Sequence, residues 1–139
     1  MSAILFSLAM LLGGAALTAL LSRPARLALL VALVSILGAS ILCLIAAWPC
    51  LTQGCDAAPM TLAWPMPLGE ARLALDGLAA WFLATLALLS IAVAIYAWSY
   101  MQAEIGREPV PALGAFLCIL VAALILVVTA NDVVLFLVG

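Results

Sequence analysis

The chain has 139 residues, of which 71% are hydrophobic and only 7% charged, and its formal net charge is −2. A water-soluble domain carries roughly 25% charged residues to cover its surface, so a soluble globular fold is excluded. A nucleic-acid surface, which needs clustered Lys and Arg, is excluded with it. The sequence holds no histidine and no lysine, which removes imidazole base chemistry and histidine metal sites.

A bilayer core about 30 Å thick is crossed by about 20 apolar helical residues, and the chain divides by that rule. Span one runs over residues 2–21 without a charge. Its arginines, Arg23 and Arg26, follow the apolar run. A cleaved signal peptide carries its positive charge before the run, so span one reads as a retained helix. Pro24 suits the first turn of the next helix. Span two covers 27–48, and the short connection makes spans one and two antiparallel neighbours. Domain by domain, 1–48 is a transmembrane hairpin, 49–76 an external loop, and 77–139 holds spans three (77–100) and four (111–130) with the start of a fifth.

The external loop contains Pro49, Pro59, Pro65 and Pro67, which exclude a continuous helix. Thr61-Leu-Ala-Trp-Pro reads as extended, Pro67-Leu-Gly-Glu as a turn, and Arg72-Leu-Ala-Leu-Asp76 as a second short strand. The fold class is therefore an all-α membrane protein of four transmembrane helices plus a truncated fifth, with a short hairpin-like external loop. Cys50 and Cys55 flank Leu-Thr-Gln-Gly. They form a small-loop disulfide if the loop faces an oxidising compartment, and stay two free thiols otherwise. No second cysteine pair completes a zinc site. Cys43 and Cys118 lie in apolar runs and read as buried small hydrophobes.

Orientation follows from the arginines. With Arg23, Arg26 and Arg107 inside and Arg72 outside, the positive-inside rule puts the N-terminus outside. Trp48 closes span two, and Tyr96, Trp98 and Tyr100 close span three, where amphipathic rings favour the headgroup layer. Small residues recur four apart at Ala9/Gly13, Gly14/Thr18, Ser35/Ala39 and Ala80/Ala84, a spacing that lets helices approach closely in lipid. After Asn131–Asp132, Val133 to Gly139 are uninterrupted apolar residues. They are too few to cross a bilayer, and the expectation is a fragment or an end buried against another subunit.

No charge lies inside the four spans, where one would mark function. Asp76 and Asp132 stand at the heads of spans three and five. Each reads as a helix N-cap, with a proton-admitting role at the outer mouth the alternative for Asp132. Arg72, four residues before Asp76, can pair with it at little gain when exposed. No phosphate loop, dinucleotide fingerprint or nucleophile elbow occurs.

Two stretches carry a resemblance. One is Leu73-Ala-Leu-Asp-Gly-Leu-Ala-Ala-Trp-Phe-Leu83, continuing through Tyr96-Ala-Trp-Ser-Tyr-Met101. The other is Leu117 to Val128 followed by Thr-Ala-Asn-Asp-Val-Val-Leu-Phe-Leu-Val138. Together they resemble the N-terminal region of the antiporter-like membrane subunits of complex I (NADH dehydrogenase), formate hydrogenlyase, membrane-bound hydrogenases and multisubunit Na⁺/H⁺ antiporters. The alanine-rich chain looks more like the hydrogenase and formate-hydrogenlyase branch. The resemblance is clearest over residues 70–139.

The resemblance implies a proton- or Na⁺-translocating subunit without an active site or cofactor of its own. Its partners would be the lipid bilayer and the membrane and electron-transfer subunits of an oxidoreductase complex, in a bacterial inner membrane. Family members continue the fifth helix with Trp-Glu and use that glutamate, with later lysines, to carry protons. Those residues are absent here, and only Asp76, Gly77, Asn131 and Asp132 carry over, as motif positions. The competing expectation is a self-contained small structural or assembly protein of the membrane with no transport chemistry.

Overall fold

A computed structural model describes residues 2–20, 25–53, 60–62, 71–73, 75–103 and 110–130. Four helices, each long and apolar enough to span a membrane, account for most of them. They are α1 (Ser2–Leu20), α2 (Ala25–Gln53), α3 (Gly77–Ala103) and α4 (Val110–Thr129). Between α2 and α3, β1 (Met60–Leu62) pairs antiparallel with β2 (Ala71–Leu73), Thr61 opposite Arg72. Residues 63–70, where the turn of the expected hairpin falls, lie outside the described residues, as do 131–139 and with them the expected fifth helix.

Helices one and four end within about a turn of where their apolar runs end. Helix α2 does not: it continues past Trp48, through Pro49, to Gln53. Proline lacks an N–H and crowds the carbonyl four residues back, which is why the sequence points to a break there. At the last turn of a helix that penalty is confined to one lost bond, at the Ile45 carbonyl. Thr52 Oγ1 donates back to the Trp48 carbonyl at 3.0 Å, an added bond within the last turns. Helix α3 likewise outruns its expected end at Tyr100. At 1.5 Å per residue α2 and α3 are about 43 and 40 Å long, so each tilts or projects beyond a 30 Å hydrocarbon layer.

Successive helices run antiparallel. Ser7 meets Cys43, Met10 meets Gly38, and Gly14 meets Ser35. As α1 ascends, its partners on α2 descend. Leu30 to Leu37 of α2 line one groove with Ala94, Ile95 and Trp98 of α3, and Met101 lines another with Leu113 to Ala123 of α4. Helix α2 packs on all three others, and α4 packs on α1 more extensively than on α3. The bundle is therefore a rhombus with α2 and α4 across its short diagonal and α1 and α3 at its outer corners.

The inward faces are marked by small side chains. On α3 the buried residues are Ala80, Leu83, Ala87, Ser90, Ala94, Ala97 and Met101. On α1 they include Ile4, Ser7, Leu11, Gly14 and Thr18. Both sets alternate steps of three and four, the seven-residue repeat of helices wound left-handed about each other. The outward faces are large and apolar: Phe6, Trp81, Ile95 and Phe116 are each more than 60% exposed. Water would not tolerate such a surface. Lipid does, and it admits helices because their backbone groups bond within the helix. The chain is a multi-pass membrane protein.

Candidate functional site

Of the expected site residues, Cys50, Asp76 and Gly77 are described, and they lie at one end of the bundle, where α2 stops and α3 begins. Asp76 precedes the first turn of α3. Its Oδ1 accepts the Ala79 amide at 2.6 Å, and its own carbonyl accepts the Ala80 amide at 2.9 Å. This is N-cap geometry: a carboxylate at the positive end of a helix, taking up an otherwise unpaired donor. Gly77 follows, exposed, with open space where a Cβ would stand. No close approach explains a glycine there. Arg72 is described only as backbone within β2, so its expected pairing with Asp76 lies outside the described side chains.

At the same end, Cys50 is buried and disulfide-bonded. Cys55 lies outside the described residues, as do Asn131 and Asp132. Cys43 and Cys118 are free and buried. The Cys43 thiol donates across to Ser7 Oγ at 3.6 Å, and the Cys118 thiol to the Ala32 carbonyl at 3.7 Å. They join α2 to α1 and α4 to α2.

Most of the interior hydroxyls bond back to their own helices. Ser7 donates to the Ile4 carbonyl at 2.7 Å, Ser35 to Val31 at 2.8 Å, Ser40 to Ile36 at 2.7 Å and Thr129 to Ile125 at 2.8 Å. Thr18 donates to Gly14 and Ala15. Among the described residues no buried side-chain polar atom lacks a partner, and no three His, Cys, Asp or Glu side chains come together. The described interior thus holds hydroxyls and thiols, and no carboxylate or amine.

Nearer the Arg26 end of the bundle, three helices meet without large side chains. Gly14 of α1 abuts Ser35 of α2 with Cys118 of α4 beside it, and Gly114 of α4 abuts Ala32 of α2. The four-apart pairs read from the sequence divide here. Gly14, Thr18, Ser35, Ala39 and Ala80 are buried, whereas Ala9 and Gly13 are exposed, with open space around Gly13. That Gly14 would meet Ser35 was not legible, because one spacing recurs on every alanine-rich helix.

The aromatic residues form two bands. Trp48 and Trp81 stand exposed near the Cys50–Asp76 end, and Tyr96, Trp98 and Tyr100 are exposed at the other. Tyr96 and Tyr100 stack with ring centroids 6.0 Å apart and planes inclined by 14°. Two open apolar grooves face outward near that second end, about 340 Å³ between α2 and α3 and about 540 Å³ between α3 and α4.

No known protein family matches the chain, and neither does any curated protein sequence or solved structure.

Proposed function

We propose that the chain is the scaffold part of a proton- or Na⁺-translocating membrane subunit, within an oxidoreductase complex of the NADH dehydrogenase, hydrogenase or formate hydrogenlyase kind. The carrying observation is the Asp76–Gly77 head of α3. The motif that resembles the antiporter-like subunits coincides with a capped helix start, followed by a helix with a sparsely buried surface. A scaffold needs such a free flank for neighbouring helices or lipid. The described interior offers no titrating relay, so ion transfer in this reading belongs to other parts of the complex.

The same reading gives an orientation and a compartment. The end bearing disulfide-bonded Cys50 faces an oxidising space, the periplasm of a bacterial inner membrane, with Cys55 as its partner. Arg26 at the opposite end faces the cytoplasm. The N-terminus is then outside, and the hairpin of β1 and β2 lies on the outer surface.

A purely structural or assembly role is the second reading. It is favoured by the return of the Ser7, Thr18, Ser35, Ser40 and Thr129 hydroxyls to their own helices. Affinity purification of the tagged chain from its native membrane separates the two. Stoichiometric recovery of subunits carrying iron–sulfur clusters or nickel supports the first. Recovery of the chain as a metal-free species under conditions that keep other respiratory complexes whole sinks it.

A further inference from the structure

The groove between α2 and α3 has a chemistry that neither reading uses. Its walls are Leu30, Val34 and Leu37 on one side and Ala94, Ile95 and Trp98 on the other. They are almost wholly apolar, and the groove opens sideways, where a membrane places acyl chains. One turn before Leu30, on the same helix face by the four-residue spacing, stands Arg26, exposed in the first turn of α2. The helices are antiparallel, so this mouth lies level with the end of α3. There Trp98 lines the groove. Apolar walls, an indole at headgroup depth and a guanidinium beyond it follow in the order in which a phospholipid presents acyl chain, glycerol and phosphate.

We propose that this groove binds an anionic phospholipid, one acyl chain between α2 and α3 and the phosphate on Arg26. A guanidinium takes phosphate oxygens bidentately, and a cation at the membrane surface prefers an anionic to a zwitterionic headgroup. The α3–α4 groove is larger, but no described cationic side chain stands beside it, so the proposal is confined to the α2–α3 groove. The inference rests on the four membrane spans alone and is independent of any transport role.

The test is native mass spectrometry of the purified full chain, released from detergent after equilibration with equal phosphatidylglycerol and phosphatidylcholine. Retention of phosphatidylglycerol about fivefold over phosphatidylcholine is expected, the factor that one interfacial cation supplies. Arg26→Gln should bring the two lipids level, and Arg26→Lys should keep part of the preference. Val34→Trp fills the groove from an exposed position, so the fold tolerates it, and both lipids should then be lost together. Inorganic phosphate in excess should not displace the lipid. Equal retention by the unaltered chain, an unchanged preference in Arg26→Gln, or displacement by phosphate alone overturns the proposal.

Discussion

Gly14 of α1 lies directly against the side chain of Ser35 on α2, so close that a methyl group on Gly14 would overlap the serine Oγ and Cβ. This contact sets how near the first two helices come. Gly14→Ala should push them apart and cost about 1–3 kcal/mol, as overpacking of a tight core does. The double variant Gly14→Ala/Ser35→Gly should recover most of that loss. Gly13→Ala, one residue away but with open space around it, should be neutral or slightly stabilising. Thermal unfolding in detergent, followed by circular dichroism, reads all three.

Asp76→Ala should remove the cap of α3 at a cost of about 0.5–2 kcal/mol, and Asp76→Asn should be nearly silent, since asparagine caps equally well. Hydrogen exchange at the Ala79 and Ala80 amides is the direct measure. Faster exchange confined to that first turn is expected for the alanine variant only. Equal exchange in both variants would contradict the cap.

Which parts of this structure could be read from residues alone follows from what lipid does to a sequence pattern. Four charge-free runs between Arg23, the proline-rich loop and Arg107 mark four helices, because breakers and charges are as costly in lipid as in a core. The inward faces are not marked in the same way. A helix apolar all round has no polar stripe to reveal its outer side, so size and not polarity separates Ala80, Ala87 and Ala94 from Trp81, Leu88 and Ile95. Size alone also misassigns Ala9 and Gly13. Asp76 was legible as a cap because its chemistry is local. The partnership of Gly14 with Ser35 was not, since it depends on the register of two helices.

Pro49→Ala should strengthen the end of α2. The helix already runs through this position, and alanine restores the missing bond to Ile45. The gain stays below the ~3 kcal/mol of a mid-helix proline, because the last turn frays and alanine also loosens the unfolded chain. Slower exchange at Cys50 to Gln53 is the expected result, and faster exchange would mean that the proline shapes the turn.

Thiol counting checks the bonded state of Cys50. Of the four cysteines in the chain, Cys43 and Cys118 are free. With Cys50 joined to Cys55, a maleimide should label two thiols after denaturation without reductant and four after reduction. In the folded protein Cys43 and Cys118, both almost fully buried, should react slowly. Three or four labelled thiols before reduction would remove the argument that this end faces an oxidising compartment.

The contact of the Cys43 thiol with Ser7 offers a contrast in kind. Polar contacts between membrane helices average about 0.6 kcal/mol, and the Ser7 hydroxyl is already bonded to Ile4. A double-mutant cycle of Ser7→Ala with Cys43→Ala should therefore give a coupling well under that of Gly14 with Ser35. A larger value would make hydrogen bonding, and not close backbone approach, the stronger tie between α1 and α2.

The rhombic packing also dictates an order of events during synthesis. Helix α4 rests mainly on α1 and α2, which leave the ribosome long before it. Until then Ala32 lies against lipid on an unfinished hairpin, and the Gly14–Ser35 contact is open on the side where Cys118 will sit. The bundle closes around its earliest segments with its latest described one. A chain stalled after α3 would therefore reach the membrane with its spans inserted and its centre still open.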